Sequence, residues 1–299
     1  MKLLYPLAKR FIAGHSFESA RENIDELLNE GYEVSIDYLG ELSKTENDCI
    51  RAKNQYLDVI AAYAGKEIDL SIKPTQLGIL INESLALDSL LDIAIQASYA
   101  GHTIRLDMED SKVTQATIAL CMEAFKSWKG GYCVYLGDTP FTGGHSAVGI
   151  ALQANLFRTD TDITKLINQK VISIRLVKGA YKESASISYQ KDYEIQAAFF
   201  DYAARLRSSK SKRPAIATHD ELLLEDIEEL IPDAKAFFDY EFLYGIRRDL
   251  QKKYKTEGRK VRIYVPFGKD WLPYVLRRLK EWKNLKFVIK NIYKEWKNE

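Results

Sequence analysis

What most constrains this chain is an alternation. Eight short stretches rich in β-formers are separated by longer stretches with helical periodicity. The strand-like stretches are Tyr32–Leu39, Ile68–Lys73, Thr103–Asp107, Val148–Gln153, Val171–Val177, Ala215–Thr218, Lys235–Asp239 and Arg262–Pro266. The helical ones between them are Thr45–Ala64, Ser84–Tyr99, Val113–Trp128, Asp162–Asn168, Asp192–Arg207, Glu221–Leu230 and Leu243–Tyr254. Strands linked by helical crossovers run parallel, and eight of them over roughly 250 residues fit a (β/α)8 TIM-like barrel of the α/β class. A doubly wound open sheet is the main competitor. No G-x-G-x-x-G follows any strand, which weakens the dinucleotide-binding form of that competitor. Phe17–Asn29 is a further helical stretch, with Gly31 where a C-terminal glycine sits. The expected organisation is a helical arm over 1–30 and a barrel over 31–299.

The strand-to-helix step at Arg262–Glu281 is the most informative. After Pro266, a turn and Asp270 lead to a helix from Trp271. Leu272, Val275, Leu276 and Leu279 share one face of that helix, and Tyr274, Arg277, Arg278 and Glu281 share the opposite one. The polar face reads either as an anion-binding wall or as a solvated surface with an Arg277–Glu281 pair.

The net charge of +1 gives no electrostatic reason to expect nucleic acid. Cys49, Cys121 and Cys133 lack CxxC spacing, and the four histidines are far apart, so neither a disulfide framework nor a metal site is indicated. The opening apolar run is broken by Pro6, and no stretch approaches the ~18 apolar residues of a membrane span, so a cytoplasmic location is expected. Lys129–Ala147 carries five glycines and no helical period, and reads as a loop or small hairpin.

In such a barrel the chemistry lies at the carboxyl ends of the strands. The polar residues placed there are Asp37, Lys73, Asp107, Gln153, Arg175, Lys178, Thr218, His219, Asp239 and Tyr264. The set is mostly cationic or hydrogen-bonding with few carboxylates, which suits a small anionic substrate and a polar cofactor. Lys73 or Lys178 could be a Schiff-base nucleophile, as in barrel aldolases. Alternatively, Lys73 joins Arg277 and Arg278 in holding a carboxylate. Composition and spacing do not choose between these.

Several motifs together resemble the proline dehydrogenase family. They are SIDYLGE (Ser35–Glu41), SIK (Ser71–Lys73), LDME (Leu106–Glu109), LQA (Leu152–Ala154), RLVKGAY (Arg175–Tyr181), ATHD (Ala217–Asp220), LYGI (Leu243–Ile246) and the RIYVPFG…YVLRRLKE stretch. They occur in the family's order and span residues 11–282. The resemblance implies a distorted barrel holding FAD at its open end. It also implies oxidation of L-proline to Δ1-pyrroline-5-carboxylate by hydride transfer to flavin N5. A quinone-type acceptor and peripheral membrane contact are implied as well, and the amphipathic tail Glu281–Glu299 is a candidate for that contact.

Carried over position by position, Arg277 and Arg278 resemble the substrate-carboxylate clamp, assisted by Lys73, with Glu281 as the acid that pairs with the arginines. Tyr181, Leu243, Tyr264 and Tyr274 resemble the walls around the substrate ring. Asp107 matches an acid near Lys73, and Arg175 matches the cation near flavin N5. Met108, Gln153, Val177, Lys178, Gly179, Ala180, Thr218 and His219 match cofactor-contacting positions, Gly179 being glycine to let backbone approach the cofactor. Relatives that use hydroxyproline carry a small residue where this chain has Tyr264.

The chain departs from the pattern at Asn155, where an aromatic is usual, and at Asp239-Tyr240-Glu241, where Glu-Phe-Gln is usual. The Lys129–Ala147 segment is longer than the usual connection. No aldehyde dehydrogenase module is present in the 299 residues, which implies the monofunctional form. A catalytically dead barrel kept for binding is the remaining alternative.

Overall fold

The structure, a computed structural model, describes residues 8–129, 148–169, 173–209 and 214–281. After helix α1 (Phe17–Asn29) come β1 (Glu33–Tyr38), α2 (Glu46–Ala62), β2 (Asp69–Ile72), α3 (Glu83–Tyr99), β3 (Thr103–Leu106) and α4 (Ser111–Lys129). The middle of the chain forms β4 (Val148–Gln153), α5 (Thr159–Asn168), β5 (Ile174–Val177), α6 (Asp192–Ser208) and β6 (Ala215–Ala217). The last part gives α7 (Glu221–Leu230), α8 (Ala234–Phe237), β7 (Asp239–Leu243), α9 (Arg248–Thr256), β8 (Val261–Phe267) and α10 (Trp271–Glu281). The eight strands close a barrel in sequence order, and β1 pairs in parallel with β8 from Glu33↔Arg262 to Tyr38↔Phe267.

Because strand side chains alternate, each strand divides its residues between the helices and the barrel interior. Val34, Ile36, Leu70, Ile72, Ile104 and Leu176 are fully buried in the apolar layer shared with the helices. The interior set is polar instead of the branched apolar filling usual for such barrels. Arg175 on β5 bonds Ser35 of β1, Asp69 and Ser71 of β2 and Glu241 of β7, a reach that only the interior allows. Gly149 makes room for this layer: a Cβ there would lie 2.4 Å from the Ser173 carbonyl oxygen and 3.2 Å from Cγ of Arg105.

The residues before α1 hold the site's outer wall in place. Ala13 donates its N–H to the Pro266 carbonyl at 2.9 Å, on β8 two residues after Tyr264. Ala8, Phe11 and Ile12 form a separate apolar cluster with Leu39, Ile246, Trp271, Tyr274 and Val275. That cluster seats α10 on the barrel. Helix α1 starts at a capping box of Ser16 and Ser19 and buries Phe17, Ala20 and Ile24.

Three expectations from the sequence are corrected. The seventh strand is Asp239–Leu243, not Lys235–Asp239; the earlier stretch forms the helical turn α8. An apolar run of three does not fix its own period, and here Lys235 and Ala236 are exposed while Phe238 is fully buried. The following helix accordingly begins at Arg248, not Leu243. Asp239 opens β7 and pairs with Arg262 at 2.8 Å, so it lies at the amino end of its strand, away from the carboxyl ends.

Helix α10 starts where expected, but its burial does not follow the apolar stripe. Trp271, Tyr274 and Val275 are buried, while Leu276 is 42% exposed. Of the fifth strand, Ile174–Val177 is described and the expected start at Val171 is not. The Lys129–Ala147 segment beyond Lys129 and the tail beyond Glu281 lie outside the described residues.

Candidate active site

A cavity of about 700 Å³ opens among the carboxyl ends of the strands. Every site residue that the family resemblance assigns lines it except Glu281, whose side chain lies outside the described set, while Asp37 and Asp239 of the strand-end set do not line it. The residues were nominated from separate strands and one helix; the barrel brings them to one wall, floor or rim.

The floor is an ion network. Arg175 is 3% exposed and donates through Nε and Nη2 to the two carboxylate oxygens of Glu241 at 2.6 and 2.7 Å. Its Nη1 donates to Asp107 Oδ1 at 2.7 Å. Burial alone would lower its pKa, but Glu241, Asp107 and Asp69 outweigh that and raise it further, so it is a fixed cation. Tyr264 lies over this guanidinium, 5.4 Å from ring centroid to Cζ, and its hydroxyl donates to Asp107 Oδ2 at 2.6 Å.

Lys73 reaches the same cluster from β2. Its Nζ donates to Asp37 Oδ1 at 2.5 Å and lies 3.7 Å from Asp107 Oδ2 and 3.5 Å from the Tyr264 hydroxyl. Burial pushes its pKa down, but the Asp37 and Asp107 carboxylates overcome this and raise it well above the lysine range. Lys178 is paired with Asp220 at 2.5 Å, and despite partial burial the Asp220 carboxyl is held below its usual range, chiefly by that hydrogen bond. A Schiff-base nucleophile must be a neutral amine. Lys73 is held as an ammonium ion and Lys178 is tied to Asp220 in an ion pair, which speaks against either as a Schiff-base nucleophile.

Helix α10 supplies the wall. Arg277 is gripped by Glu41, with Nη2–Oε1 at 2.5 Å and Nη1–Oε2 at 3.2 Å, and lies 5.6 Å over the Tyr181 ring. Arg278 lies 5.4 Å over the Tyr274 ring. Glu41 thus presents to Arg277 the same carboxylate fork that an amino-acid substrate would present.

At the rim, the Leu243 N–H donates to Nε2 of His219 at 3.0 Å, which leaves the ring proton on Nδ1. Burial, and then the charges of Arg278 and Arg247, lower the His219 pKa to about 3, so the ring is a neutral donor. Gln153 donates its amide to the Glu109 carbonyl at 2.9 Å, and Glu109 in turn accepts from the Thr75 N–H and hydroxyl. Gly179 has φ of +114°, and a Cβ would sit 2.2 Å from Oδ1 of Asn155. Asn155 behind the loop and the left-handed backbone therefore require this glycine, whatever lies in the cavity.

The expectation of few carboxylates is corrected. Glu41, Glu109, Asp220, Glu221 and Glu241 all line the cavity beside Asp107. Glu41 fell inside the quoted SIDYLGE motif but in a stretch with no period to aim it. Arg247 was missed without any signal. It adopts φ of +52°, lines the cavity, and pairs with Glu221 at 2.7 Å and Asp249 at 3.0 Å. Among the described residues no three His, Cys, Asp or Glu side chains are grouped as a metal site.

A closed parallel barrel that opens such a cavity at its carboxyl end is the architecture of the (β/α)8 enzymes. Cations on its floor, wall and rim alternate with carboxylates in the lining.

Comparison with known proteins narrows this further. The family model for proline dehydrogenase matches residues 20–290. Proline dehydrogenase 1 of Bacillus subtilis subsp. natto is 32% identical over 297 residues, covering 96% of this chain and 91% of its own. The proline dehydrogenase of Deinococcus radiodurans is 32% identical over 300 residues, covering 97% and 91%. The chain belongs to the proline dehydrogenase family and is an oxidoreductase. Proline utilization A from Bdellovibrio bacteriovorus, solved after inactivation by N-propargylglycine, shares the fold with a TM-score of 0.78 at 24% identity. That match covers 93% of this chain and 33% of the longer protein.

Proposed function

We propose that the protein oxidises L-proline to Δ1-pyrroline-5-carboxylate with FAD held in the cavity at the carboxyl end of the barrel. The observation that carries this reading is that Arg277 and Arg278 line the same cavity as the Lys73–Tyr264–Asp107 cluster. The guanidinium pair fixes the substrate carboxylate, and the bidentate geometry sets the direction of the ring. Tyr181, Leu243, Tyr264 and Tyr274 enclose the apolar ring carbons and exclude water. Asp107 and Lys73 stand on the floor as the charged groups nearest the Tyr264 hydroxyl.

The residues present fit a flavin dinucleotide. Its pyrophosphate needs cations and hydrogen-bond donors, which Lys178, Thr218 and the Nδ1–H of His219 supply at one rim. Arg175 offers a permanent positive charge on the floor where negative charge accumulates during reduction. When bound, the flavin supplies the hydride acceptor for the ring carbon next to nitrogen. The residues of this chain bind, orient and desolvate around that step.

Electrons then pass to a quinone-type acceptor, and a lipid-soluble acceptor calls for peripheral membrane contact. Among the described residues no helix is long and apolar enough to cross a membrane. Steady-state assays with L-proline and either a soluble quinone or an artificial dye, with the product identified by mass, test this reading. Turnover of L-proline giving a product two hydrogens lighter is expected. Absence of turnover in flavin-loaded protein with every acceptor overturns it.

A further inference from the structure

The mechanism above does not use Glu241, yet that residue takes the Arg175 guanidinium with both its oxygens on the cavity floor. It lies on β7 and is 2% exposed. Its two oxygens meet Nε and Nη2 of Arg175 at 2.6 and 2.7 Å, the parallel fork of a bidentate pair. A second guanidinium, that of Arg105 on β3, approaches Glu241 Oε2 at 3.3 Å and Asp69 Oδ2 at 3.5 Å. Arg175 also contacts Asp69 at 3.2 Å and Asp107 at 2.7 Å. Two guanidinium groups are thus shared among three carboxylates, Glu241, Asp69 and Asp107. Arg175 is therefore not a lone cation facing the cavity: its charge is offset by carboxylates on three sides.

We infer that Glu241 is a positioning residue that holds the Arg175 guanidinium in one plane and offsets its charge, so that negative charge gathering above Arg175 is less well stabilised. The inference rests on the flavin reading of the site, in which that gathering charge belongs to the reduced cofactor. Glu241 then holds the flavin's reduction potential down. A neutral amide of the same shape would leave two guanidinium groups to two carboxylates, and the floor would favour reduction more.

Arg105 provides an independent handle on the same carboxylate. It is 1% exposed and does not line the cavity, so it touches nothing bound there. Replacing it with a neutral residue removes a cation from Glu241 and Asp69 and shifts the floor in the negative direction. The two substitutions therefore act with opposite sign, which loss of packing alone does not produce.

The test is the two-electron midpoint potential of bound flavin in wild type, Glu241→Gln and Arg105→Gln, read by equilibration with a reference dye. A unit charge several ångströms away in a partly screened site changes the reduction equilibrium by about tenfold, or about 30 mV for a two-electron couple. We expect Glu241→Gln to shift the potential upward and Arg105→Gln to shift it downward. An unchanged potential in a folded, flavin-loaded Glu241→Gln overturns the inference. So does a shift of the same sign in both variants. If Glu241→Gln does not fold, Arg105→Gln alone decides, and an unchanged or raised potential there overturns it. The flavin reading is tested separately on wild type: protein whose flavin L-proline does not reduce refutes that reading, whereas reduced flavin with unshifted variants refutes only the role of Glu241.

Discussion

Replacing Arg278 with Met tests the carboxylate clamp directly. The substitution keeps an unbranched side chain of similar reach, so the contact with the Tyr274 ring, now 5.4 Å from the guanidinium, is largely retained. What is lost is one charged arm on the substrate carboxylate. Truncating one partner of a desolvated, hydrogen-bonded charge pair costs roughly 2–5 kcal/mol. Arg278 is only half-buried, so solvent screening moves the expectation to the lower part of that range, about 2–3 kcal/mol. At 1.4 kcal/mol per decade, kcat/KM for L-proline should fall by about 30- to 150-fold. Flavin content should stay at the wild-type level, because the proposed cofactor contacts lie on β4 to β6, their loops and the loop after β3, none of them on α10. Steady-state kinetics, with flavin absorbance per polypeptide as the control, measure both quantities. Unchanged kcat/KM would remove α10 from the substrate site.

Three further outcomes follow from the same geometry. Glu41→Gln removes the carboxylate that occupies Arg277 at 2.5 Å, and substrate no longer has to displace it; for a pair about a quarter exposed on each side the gain is about 0.5–1 kcal/mol, so KM should fall roughly two- to fivefold, and a raised KM would show that Glu41 helps binding. Tyr264→Ser should narrow the preference for proline over 4-hydroxyproline, which in wild type should be roughly ten- to two-hundredfold in kcat/KM, and equal use of both by wild type would remove the phenol as the discriminating feature. His219 has a folded pKa lowered to about 3, so the unfolded chain binds its proton first as pH falls. Its contribution to stability is therefore present above the unfolded histidine pKa near ~6.5 and is lost as pH falls toward 3. Urea unfolding at several pH values from 7 to 5 should show a shallower loss for His219→Asn than for wild type, and equal slopes would contradict the burial of a neutral ring.

The alternation of periods was enough to fix the barrel, because seven of the strands show it in apolar residues that face the helices. The eighth case, β7, was displaced by the apolar residues just before it. DYEFL carries the period-2 alternation, with Asp239 and Glu241 inward and Tyr240 and Phe242 against the helices, but the adjacent Ala236–Phe238 run competed for the assignment. Helix α10 was legible in position and polar face but not in burial. Its Tyr274 face turns to the cavity while Leu276 of the apolar stripe remains 42% exposed.

Nominated site residues met in one cavity because strand ends converge whatever their sequence separation. Glu41 and Arg247 sit in connections, where no period tells which way a side chain points. Arg247 in addition adopts a left-handed backbone, at φ of +52°, that sequence gives no reason to expect of arginine. The need for glycine at 179 was legible, but its cause was not. The side chain that excludes a Cβ belongs to Asn155, at the end of the neighbouring strand.

The most direct measurement is an anaerobic one. Purified protein with its bound flavin is mixed with L-proline, with no acceptor present, and the oxidised-flavin absorbance near ~450 nm is followed as the cofactor is reduced. Loss of that absorbance on adding L-proline, its absence on adding D-proline, and its slowing in Arg278→Met are the predicted results. Flavin that stays oxidised in the presence of saturating L-proline would contradict proline oxidation at this site.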